Sequence, residues 1–254
     1  WRQQRDGNLR DGKKLSSASV NMMLTVLKSA FAYACDREYL SANPCAGVRR
    51  LRTEAKRVVA FSVEEQRALE AEIARSRDRR LHGILLCLYT GLRIGELLGL
   101  TWNDVDCRRG ILFVTKTVYR EKDETGVIRL CTGTPKTKAA DRVIPLPDYM
   151  VAMLRQDAAS ARTPYVVENK KGERMPIRSY QYLFEKLTVR AGVRKLNFHA
   201  LRHTFATRAI ECGMDIRTVA DLLGHQNVSV TLNRYAHCML AHKTEMMRKL
   251  PRVL

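Results

Sequence analysis

The spacing of apolar residues predicts a long amphipathic helix near the start of the chain. From Ser17 to Leu40, apolar side chains recur every three or four residues, which places them on one face of a helix. Ser17 is a suitable N-cap, because its hydroxyl can accept a hydrogen bond from an otherwise unpaired backbone N–H. Asn43 and Pro44 are expected to end this helix, since the residue before a proline avoids helical backbone angles.

A second series of helices is predicted after Ser62. Ser62 and Glu65 have the spacing of a capping box, and Gly91 is expected to interrupt the apolar stretch that follows. Asp215 and Ser229 are suitable N-caps farther along, and Gly224 is suited to end a helix. The predicted helices run over residues 62–76, 81–90, 94–100, 148–157, 179–191, 199–212, 216–223 and 229–247.

Between residues 110 and 146 the pattern changes from helical to strand-like. The segments ILFVTKTVYR, VIRLCTGT and DRVIPLP are rich in β-branched residues and are separated by turn residues. They predict one small antiparallel sheet. The expected fold class is mainly α with a small antiparallel β-sheet (α+β), arranged as a helical unit over residues 1–48, a linker over 49–60 and a larger unit over 61–254.

The composition limits the location and the redox state of the protein. The chain has 254 residues, of which 45% are hydrophobic, enough to form at least one core. We expect an intracellular, cytoplasmic protein, because no apolar stretch approaches the roughly 20 residues of a membrane span and the N-terminus does not resemble a signal peptide. Seven cysteines without a C-x-x-C pair argue against a disulfide framework or a zinc ribbon.

The charge of the chain predicts a polyanionic partner. Lysine and arginine number 45 against 26 aspartate and glutamate residues, a net charge of +19 that is spread along the chain. Charge by itself does not separate an enzyme from a ribosomal or chromatin protein. The basic linker either lies on DNA or is a solvated tether. The candidate DNA-binding residues are Arg49, Arg50, Arg52, Lys56, Arg57 and, farther along, Lys138.

His199 and Arg202 are predicted to share one face of a helix, because residues three apart point in similar directions. They are either surface residues of a basic helix or an imidazole and a guanidinium presented together to a ligand. His203, four residues after His199, also allows a metal-binding pair. The sequence disfavours that interpretation, since no carboxylate stands between the histidines and Arg202 would repel a cation.

Arg93 and Tyr235 are the other residues that could carry chemistry. Arg93 lies between two glycines, with Glu96 three residues on, where the carboxylate either orients the guanidinium or forms a structural salt bridge. Tyr235 lies about two turns into the last predicted helix, in a setting unusually polar for a core aromatic, and His225 lies in the turn before it. Lys136 and Lys138 belong to a predicted hairpin, from which a lysine can reach a bound backbone.

Together these residue types suit phosphoryl transfer. That reaction needs a nucleophile, charge neutralisation on the phosphate and a proton for the leaving group. Arg93 and Arg202 could grip a phosphate in place of a metal ion, and cationic neighbours would favour the phenolate form of Tyr235. Such a site requires no cofactor and no metal.

Four segments, in this order and spacing, resemble the tyrosine recombinase family: TGLRIGELLGLTWNDVD, TPKTKAADRVIPL, HALRHTFATR and LLGHQNVSVTLNRYAH. The resemblance covers residues 61–238 and is greatest to the integrases of phages and conjugative transposons. It implies a site-specific recombinase that cleaves and rejoins DNA strands through a 3′-phosphotyrosyl intermediate. It also implies that the protein integrates and excises a mobile element.

The resemblance assigns the central catalytic roles. It implies that Tyr235 is the nucleophile and that Arg93 and Arg202 bind the scissile phosphate. It further implies that Lys136 protonates the leaving 5′-oxygen.

The same resemblance implies roles for two histidines and a carboxylate. His199 would hydrogen-bond the phosphate or assist proton transfer from Tyr235. His225 would bind the phosphate or position the tyrosine, and Glu96 would have a supporting role.

The resemblance also implies partners. The first unit is similar to a core-binding domain that closes a clamp around double-stranded DNA, here beginning inside that domain. The family forms a homo-oligomer, which is a tetramer on two DNA sites. The C-terminal tail, which corresponds to residues 236–254 here, is exchanged between protomers. An excisionase can direct the reaction. Self-packing of the tail is the simpler alternative. Two other functions stay open: a non-catalytic DNA-binding regulator of the same fold and a type IB topoisomerase-like DNA-relaxing enzyme.

Overall fold

A computed structural model describes residues 15–53, 59–133, 141–235, 247–248 and 251. The chain divides into two compact units, Trp1–Arg57 and Val58–Leu254. Within the described ranges, every helix is too short or too polar to cross a membrane.

The first unit is organised around one helix, α1 (Ser17–Asp36). Its N-cap is Ser16, whose hydroxyl accepts a hydrogen bond from the Ser19 backbone N–H. The prediction of Ser17 as the cap was therefore wrong by one residue. The predicted end at Asn43 was also wrong, because the chain leaves the helix after Asp36 and passes through a left-handed conformation at Glu38 (φ 59°).

The segment after α1 folds back along the helix. The Asn21 side chain donates to the Leu51 carbonyl (2.9 Å) and accepts from the Leu51 N–H (2.8 Å). Val20 and Leu24 are buried, whereas the side chain of Met23, expected on the same apolar face, is 40% exposed. Among the described residues, one helix and one returning segment offer too little apolar surface to cover the whole predicted face.

The second unit contains the following helices: α2 (Val63–Arg75), α3 (His82–Thr90), α4 (Ile94–Gly99), α5 (Asp148–Ala159), α6 (Ile177–Arg190), α7 (His199–Glu211), α8 (Ile216–Leu223) and α9 (Val228–Tyr235). Short 3-10 turns at Arg79–Leu81 and Trp102–Asp104 precede α3 and follow α4.

Helix caps confirm most of the predicted boundaries. Ser62 and Glu65 form the capping box, Asp215 caps α8 through the Thr218 N–H, and Gly224 ends α8 in the left-handed conformation (φ 64°). The prediction of Ser229 as the cap of the last helix was wrong. That helix begins at Val228, and the Asn227 side chain accepts from the Ser229 N–H (2.8 Å).

Helix α3 lies at the centre of the main core. Apolar residues cover most of its circumference, which is typical of a fully buried helix, and Ile84, Leu86 and Cys87 are completely buried. Helix α7 packs against it. A smaller apolar cluster, which includes Phe205, Val219 and Leu223, joins α7, α8 and α9.

The predicted single sheet was wrong, because the strands form two separate sheets. Strands β1 (Val105–Asp106), β2 (Ile111–Val114) and β5 (Arg142–Pro145) form one antiparallel sheet in the order β1-β2-β5. Strands β3 (Thr117–Lys122) and β4 (Ile128–Gly133) form an antiparallel hairpin.

The break between the two sheets lies just before β3. The Lys116 ammonium donates to the Asp104 carboxylate (2.8 Å), which holds the chain at the end of β2. Helix α4 then lies directly on β3. A Cβ atom at Gly95 would come within 2.5 Å of the Val118 carbonyl oxygen, so only glycine permits this approach.

Candidate active site

Glu96 is the centre of an ion-pair network at the start of α4. Its carboxylate accepts from the Arg93 backbone N–H (2.8 Å) and from the Arg93 guanidinium (2.7 Å). The Glu96 side chain is 2% exposed, whereas that of Arg93 is 39% exposed. One carboxylate therefore fixes both the helix start and the direction of a guanidinium that still reaches solvent.

Arg142, which was not among the predicted site residues, is the second cation bound to Glu96. Its guanidinium donates to both carboxylate oxygens (3.1 and 2.8 Å) and to the Leu222 carbonyl (2.6 Å). A signal for it exists in the sequence. Arg142 alternates with Ile144 and Leu146, which are buried, so strand periodicity places it on the inward face.

The charge of Glu96 is stabilised in spite of its burial. Burial opposes ionisation, but the hydrogen bonds and charge of Arg142, together with the charge of Arg93, outweigh it and hold the pKa of Glu96 at about 2. The carboxylate is thus ionised at neutral pH and requires its arginines.

Arg202 lies on α7 and is 2% exposed. Its guanidinium donates to the carbonyls of Gly91 (2.9 Å) and Leu223 (2.5 Å). Burial, followed by the charge of Arg93, lowers the pKa of Arg202 to about 9. The positive charge is therefore incompletely compensated, and an anion placed beside it would be stabilised.

Gly91 allows this arrangement. It ends α3 with φ 66°, and a Cβ atom there would come within 2.6 Å of the Phe205 ring and 2.7 Å of the Leu223 side chain. The residue must therefore be glycine for two reasons, its backbone angle and its contacts. Its carbonyl is then free to turn toward Arg202.

A cavity of about 460 Å³ lies beside Arg93, with Asn197 and His199 also in its wall. His199, the first residue of α7, is exposed. Its ring stacks edge-on against that of His203, with centroids 4.6 Å apart. This cavity is a space in which a phosphate could meet both an imidazole and a guanidinium.

Tyr235 is more deeply buried than its polar neighbours in the sequence suggested. Its side chain is 1% exposed and packs in the smaller apolar cluster with Phe205 and Leu223. Its hydroxyl oxygen lies 2.6 Å from Nδ1 of His203. The phenol is thus covered by apolar groups along the ring, while its oxygen contacts His203 of α7, the residue that follows Arg202.

His225 follows Gly224 in the turn between α8 and α9. Its Nδ1 lies 2.7 Å from the Thr231 hydroxyl oxygen, one turn before Tyr235. Arg142 and Arg202 bind the carbonyls of the two residues that end α8, Leu222 and Leu223. Both guanidiniums therefore lie at the helix end from which His225 extends, a position that favours cations.

Four of the predicted residues, Lys56, Arg57, Lys136 and Lys138, lie outside the described residues. In the first unit, Arg49 and Arg52 are exposed, and Arg50, also exposed, donates to the Thr25 hydroxyl (3.2 Å). The structure therefore brings together Arg93, Glu96, His199, Arg202, His225 and Tyr235 and adds Arg142 and His203.

Comparisons with known proteins assign a family. The phage integrase family model matches residues 52–242. The chain is 33% identical to a XerC-like tyrosine recombinase of Caldanaerobacter subterraneus subsp. tengcongensis, over 92% of this chain and 66% of the relative. It is 31% identical to the tyrosine recombinase XerA of Thermococcus kodakarensis, over 85% of this chain and 70% of the relative. The chain thus spans about two thirds of the length of these relatives.

Solved structures share the fold. The integrase of the transposon Tn1549, in complex with transposon right end DNA, has a TM-score of 0.77 at 24% identity, over 93% of this chain and 80% of that one. A lambda integrase dimer bound to a COC′ core site has a TM-score of 0.60 at 20% identity, over 84% of this chain and 74% of that one.

Proposed function

The chain belongs to the phage integrase family of tyrosine recombinases, and on this premise we propose that it cleaves and rejoins double-stranded DNA through a covalent bond to Tyr235. The observation that carries the proposal is a convergence. Arg93, Arg202 and Tyr235 come from separate parts of the chain. Arg93 lines the cavity beside α4, and Arg202 donates to the carbonyls of Gly91, two residues before Arg93, and of Leu223 at the end of α8. The Tyr235 hydroxyl is hydrogen-bonded to His203, the residue that follows Arg202.

The cationic groups act on the phosphate. Arg93 and Arg202 neutralise the non-bridging oxygens, whose charge grows as the phosphorus is attacked. His199, which lines the same cavity as Arg93, donates a hydrogen bond to the phosphate. His225 positions α9 through Thr231 and so holds the tyrosine near the reacting phosphorus.

The covalent step conserves the phosphodiester bond energy. The Tyr235 oxygen bonds to phosphorus, the bond from phosphorus to the 5′-oxygen breaks, and that oxygen receives a proton, for which Lys136 is the proposed donor. The free 5′-hydroxyl of a second strand can reverse the step. Strand exchange therefore needs no nucleotide cofactor.

We also propose a biological role and an oligomeric state for the protein. The similarity to the Tn1549 and lambda integrases supports integration and excision of a mobile element. Structures of lambda integrase as a dimer on DNA and as a tetramer on a Holliday junction support a homo-oligomer on DNA. The exchange of the tail 236–254 and an excisionase stay predictions. The net charge of +19 supports a DNA partner.

Covalent capture tests the nucleophile. The protein is incubated with a pool of nicked duplexes of random sequence. After cleavage the short strand diffuses away, and its loss prevents religation and traps the covalent intermediate. We expect a protein–DNA adduct on a denaturing gel, and the captured strands identify the preferred site. Tyr235→Phe should abolish the adduct and retain DNA binding.

The matched control is Tyr180→Phe. Tyr180 is also fully buried, but its hydroxyl donates to the Arg80 carbonyl (2.7 Å) on another side of the main core. This variant should form the adduct. An adduct that persists in Tyr235→Phe would refute the nucleophile assignment, and wild-type protein that binds DNA without forming an adduct would favour the non-catalytic regulator.

A further inference from the structure

Nδ1 of His203 is hydrogen-bonded to the hydroxyl of Tyr235. The two atoms are 2.6 Å apart and the ring centroids 5.9 Å apart, so a single proton lies between Nδ1 and the phenol oxygen. The tyrosine side chain is 1% exposed, which leaves bulk water little access to this oxygen. A proton that leaves the phenol therefore needs an acceptor within the protein.

We propose that His203 is a catalytic residue that accepts the Tyr235 proton during attack on the phosphate, an inference that rests on the proposed function. Neutral imidazole has one nitrogen with a free lone pair, and Nδ1 is already at hydrogen-bonding distance from the donor. The resemblance to the family implied for His199, four residues earlier, either a hydrogen bond to the phosphate or assistance in this proton transfer. Here His199 lines the cavity beside Arg93 and contacts the His203 ring edge-on.

The proton moves in step with bond formation. A free phenol has a pKa of about 10 and a free imidazole one of about 6.5, so transfer is unfavourable before attack. As the Tyr235 oxygen bonds to phosphorus it loses basicity, and its proton passes to Nδ1, which gives an imidazolium. When a 5′-hydroxyl later attacks the phosphotyrosine, the tyrosine oxygen leaves and takes the same proton back from His203.

Neighbouring groups favour the loss of the proton from Tyr235. Arg202 precedes His203 in α7, and its charge is close enough to interact with that of a Tyr235 phenolate. The apolar cluster around the phenol ring, including Phe205 and Leu223, keeps the ring oriented while the proton moves. The proton therefore passes along a hydrogen bond that is already formed.

Two substitutions separate proton acceptance from positioning. His203→Asn places an amide oxygen near the position of Nδ1, where it can accept the hydrogen bond but cannot take the proton. His203→Leu removes the acceptor. On the captured nicked duplex we expect both variants to form the adduct about 100-fold more slowly than wild type, the low end of general acid–base effects, with DNA affinity within threefold.

A more acidic tyrosine tests whether the defect of the His203 variants lies at the Tyr235 hydroxyl. Replacing Tyr235 with 3-fluorotyrosine, whose hydroxyl is more acidic, should recover at least tenfold of the rate lost in His203→Leu. A duplex with sulfur at the leaving 5′-position should not rescue this variant, because the defect lies on the nucleophile. His82→Asn, a half-buried histidine paired with Asp157, is the control and should cleave at the wild-type rate.

The possible results are distinct. Near-wild-type cleavage by His203→Asn would reduce His203 to a positioning residue and overturn the proposal. Faster cleavage by His203→Leu would show that the contact inhibits the nucleophile, which would overturn the proposal. A cleavage defect of His203→Leu that 3-fluorotyrosine does not change would also overturn the proposal. If the wild-type protein forms no adduct, the proposed function itself is refuted. This result differs from a failure of the His203 role, in which the wild-type protein still forms the adduct.

Discussion

Arg202 and Tyr235 are almost equally buried, at 2% and 1% exposure, but different kinds of interaction hold them. The region around Arg202 consists of charged groups that bind carbonyls and a carboxylate from distant segments, with Arg142 bridging Glu96 and the end of α8. The region around Tyr235 consists of a small apolar cluster and two side-chain hydrogen bonds, one between Tyr235 and His203 and one between Thr231 and His225.

The difference follows from the energetics of burial. A buried ion without partners is very unfavourable, so a cationic site must be built with its hydrogen bonds in place. A tyrosine ring needs only apolar contacts and one partner for its hydroxyl. We therefore expect the proposed phosphate-binding region to be fixed before DNA binds, whereas apolar packing and side-chain hydrogen bonds hold the proposed nucleophile on α9.

Removal of the buried Arg202 guanidinium should have the largest effect on the rate of covalent capture. Arg202→Met keeps much of the side-chain volume and removes the charge that is proposed to stabilise the transition state. We expect covalent capture to slow by about 100- to 1,000-fold. DNA affinity should change little, because most of it comes from other phosphate contacts.

Arg208→Met is the matched control on the same helix. Arg208 is only 23% exposed and donates to the Phe61 carbonyl, whereas Arg202 donates to the carbonyls of Gly91 and Leu223. Its loss should leave the cleavage rate within about twofold, since no charge beside the phosphate is removed. Cleavage by Arg202→Met within tenfold of wild type would contradict the proposed contact with the phosphate.

The second test concerns the ion pair that fixes the cationic region. In the wild type the pKa of Glu96 is lowered to about 2 from 4.5, so this carboxylate contributes stability that is present above pH 4.5 and lost as the pH falls toward 2. Arg142→Met removes the strongest favourable partner, and burial should then raise the pKa of Glu96. We expect a loss of about 3 to 5 kcal/mol at neutral pH, and acid sensitivity that begins at higher pH.

Urea unfolding at a series of pH values measures this effect. The double variant Arg142→Met and Glu96→Gln should lose the added acid sensitivity, because no buried carboxylate is left. The control Arg190→Met breaks a more exposed pair with Glu72 and should cost less than about 1 kcal/mol. An unfolding free energy of Arg142→Met that follows the wild-type pH curve would show that Arg142 does not hold the Glu96 charge.

Local features of the fold could be predicted from the sequence, and pairings between distant segments could not. The capping box of Ser62 and Glu65, the cap at Asp215 and the helix end at Gly224 depend on neighbouring residues, and all are present. Strand pairing depends on partners far along the chain. Alternation predicted the strands but could not show that β3 and β4 leave the other sheet.

The same distinction applies to the site. Arg93 and Glu96 interact over three residues, so their spacing was sufficient to suggest the pair. Arg142 reaches Glu96 across 46 residues, and only its inward position on an alternating strand could have indicated it. His203 was considered solely as a metal ligand, because its distance from Tyr235 depends on how α7 and α9 pack.

The smallest expected effect lies in the region of the nucleophile. Thr231 is completely buried, and its hydroxyl oxygen is 2.7 Å from Nδ1 of His225. Thr231→Val preserves the shape of the side chain and removes this hydrogen bond, which should cost about 1 kcal/mol in unfolding free energy. Covalent capture should slow by only about three- to fivefold, because the apolar cluster still orients α9. Thr188→Val loses a buried hydroxyl bonded to the Glu185 carbonyl (2.8 Å) in α6 and should be destabilised to a similar extent without slower cleavage. If the two valine variants cleave at the same rate, His225 does not position the nucleophile through Thr231, and the region around Tyr235 is held by apolar packing and the His203 contact.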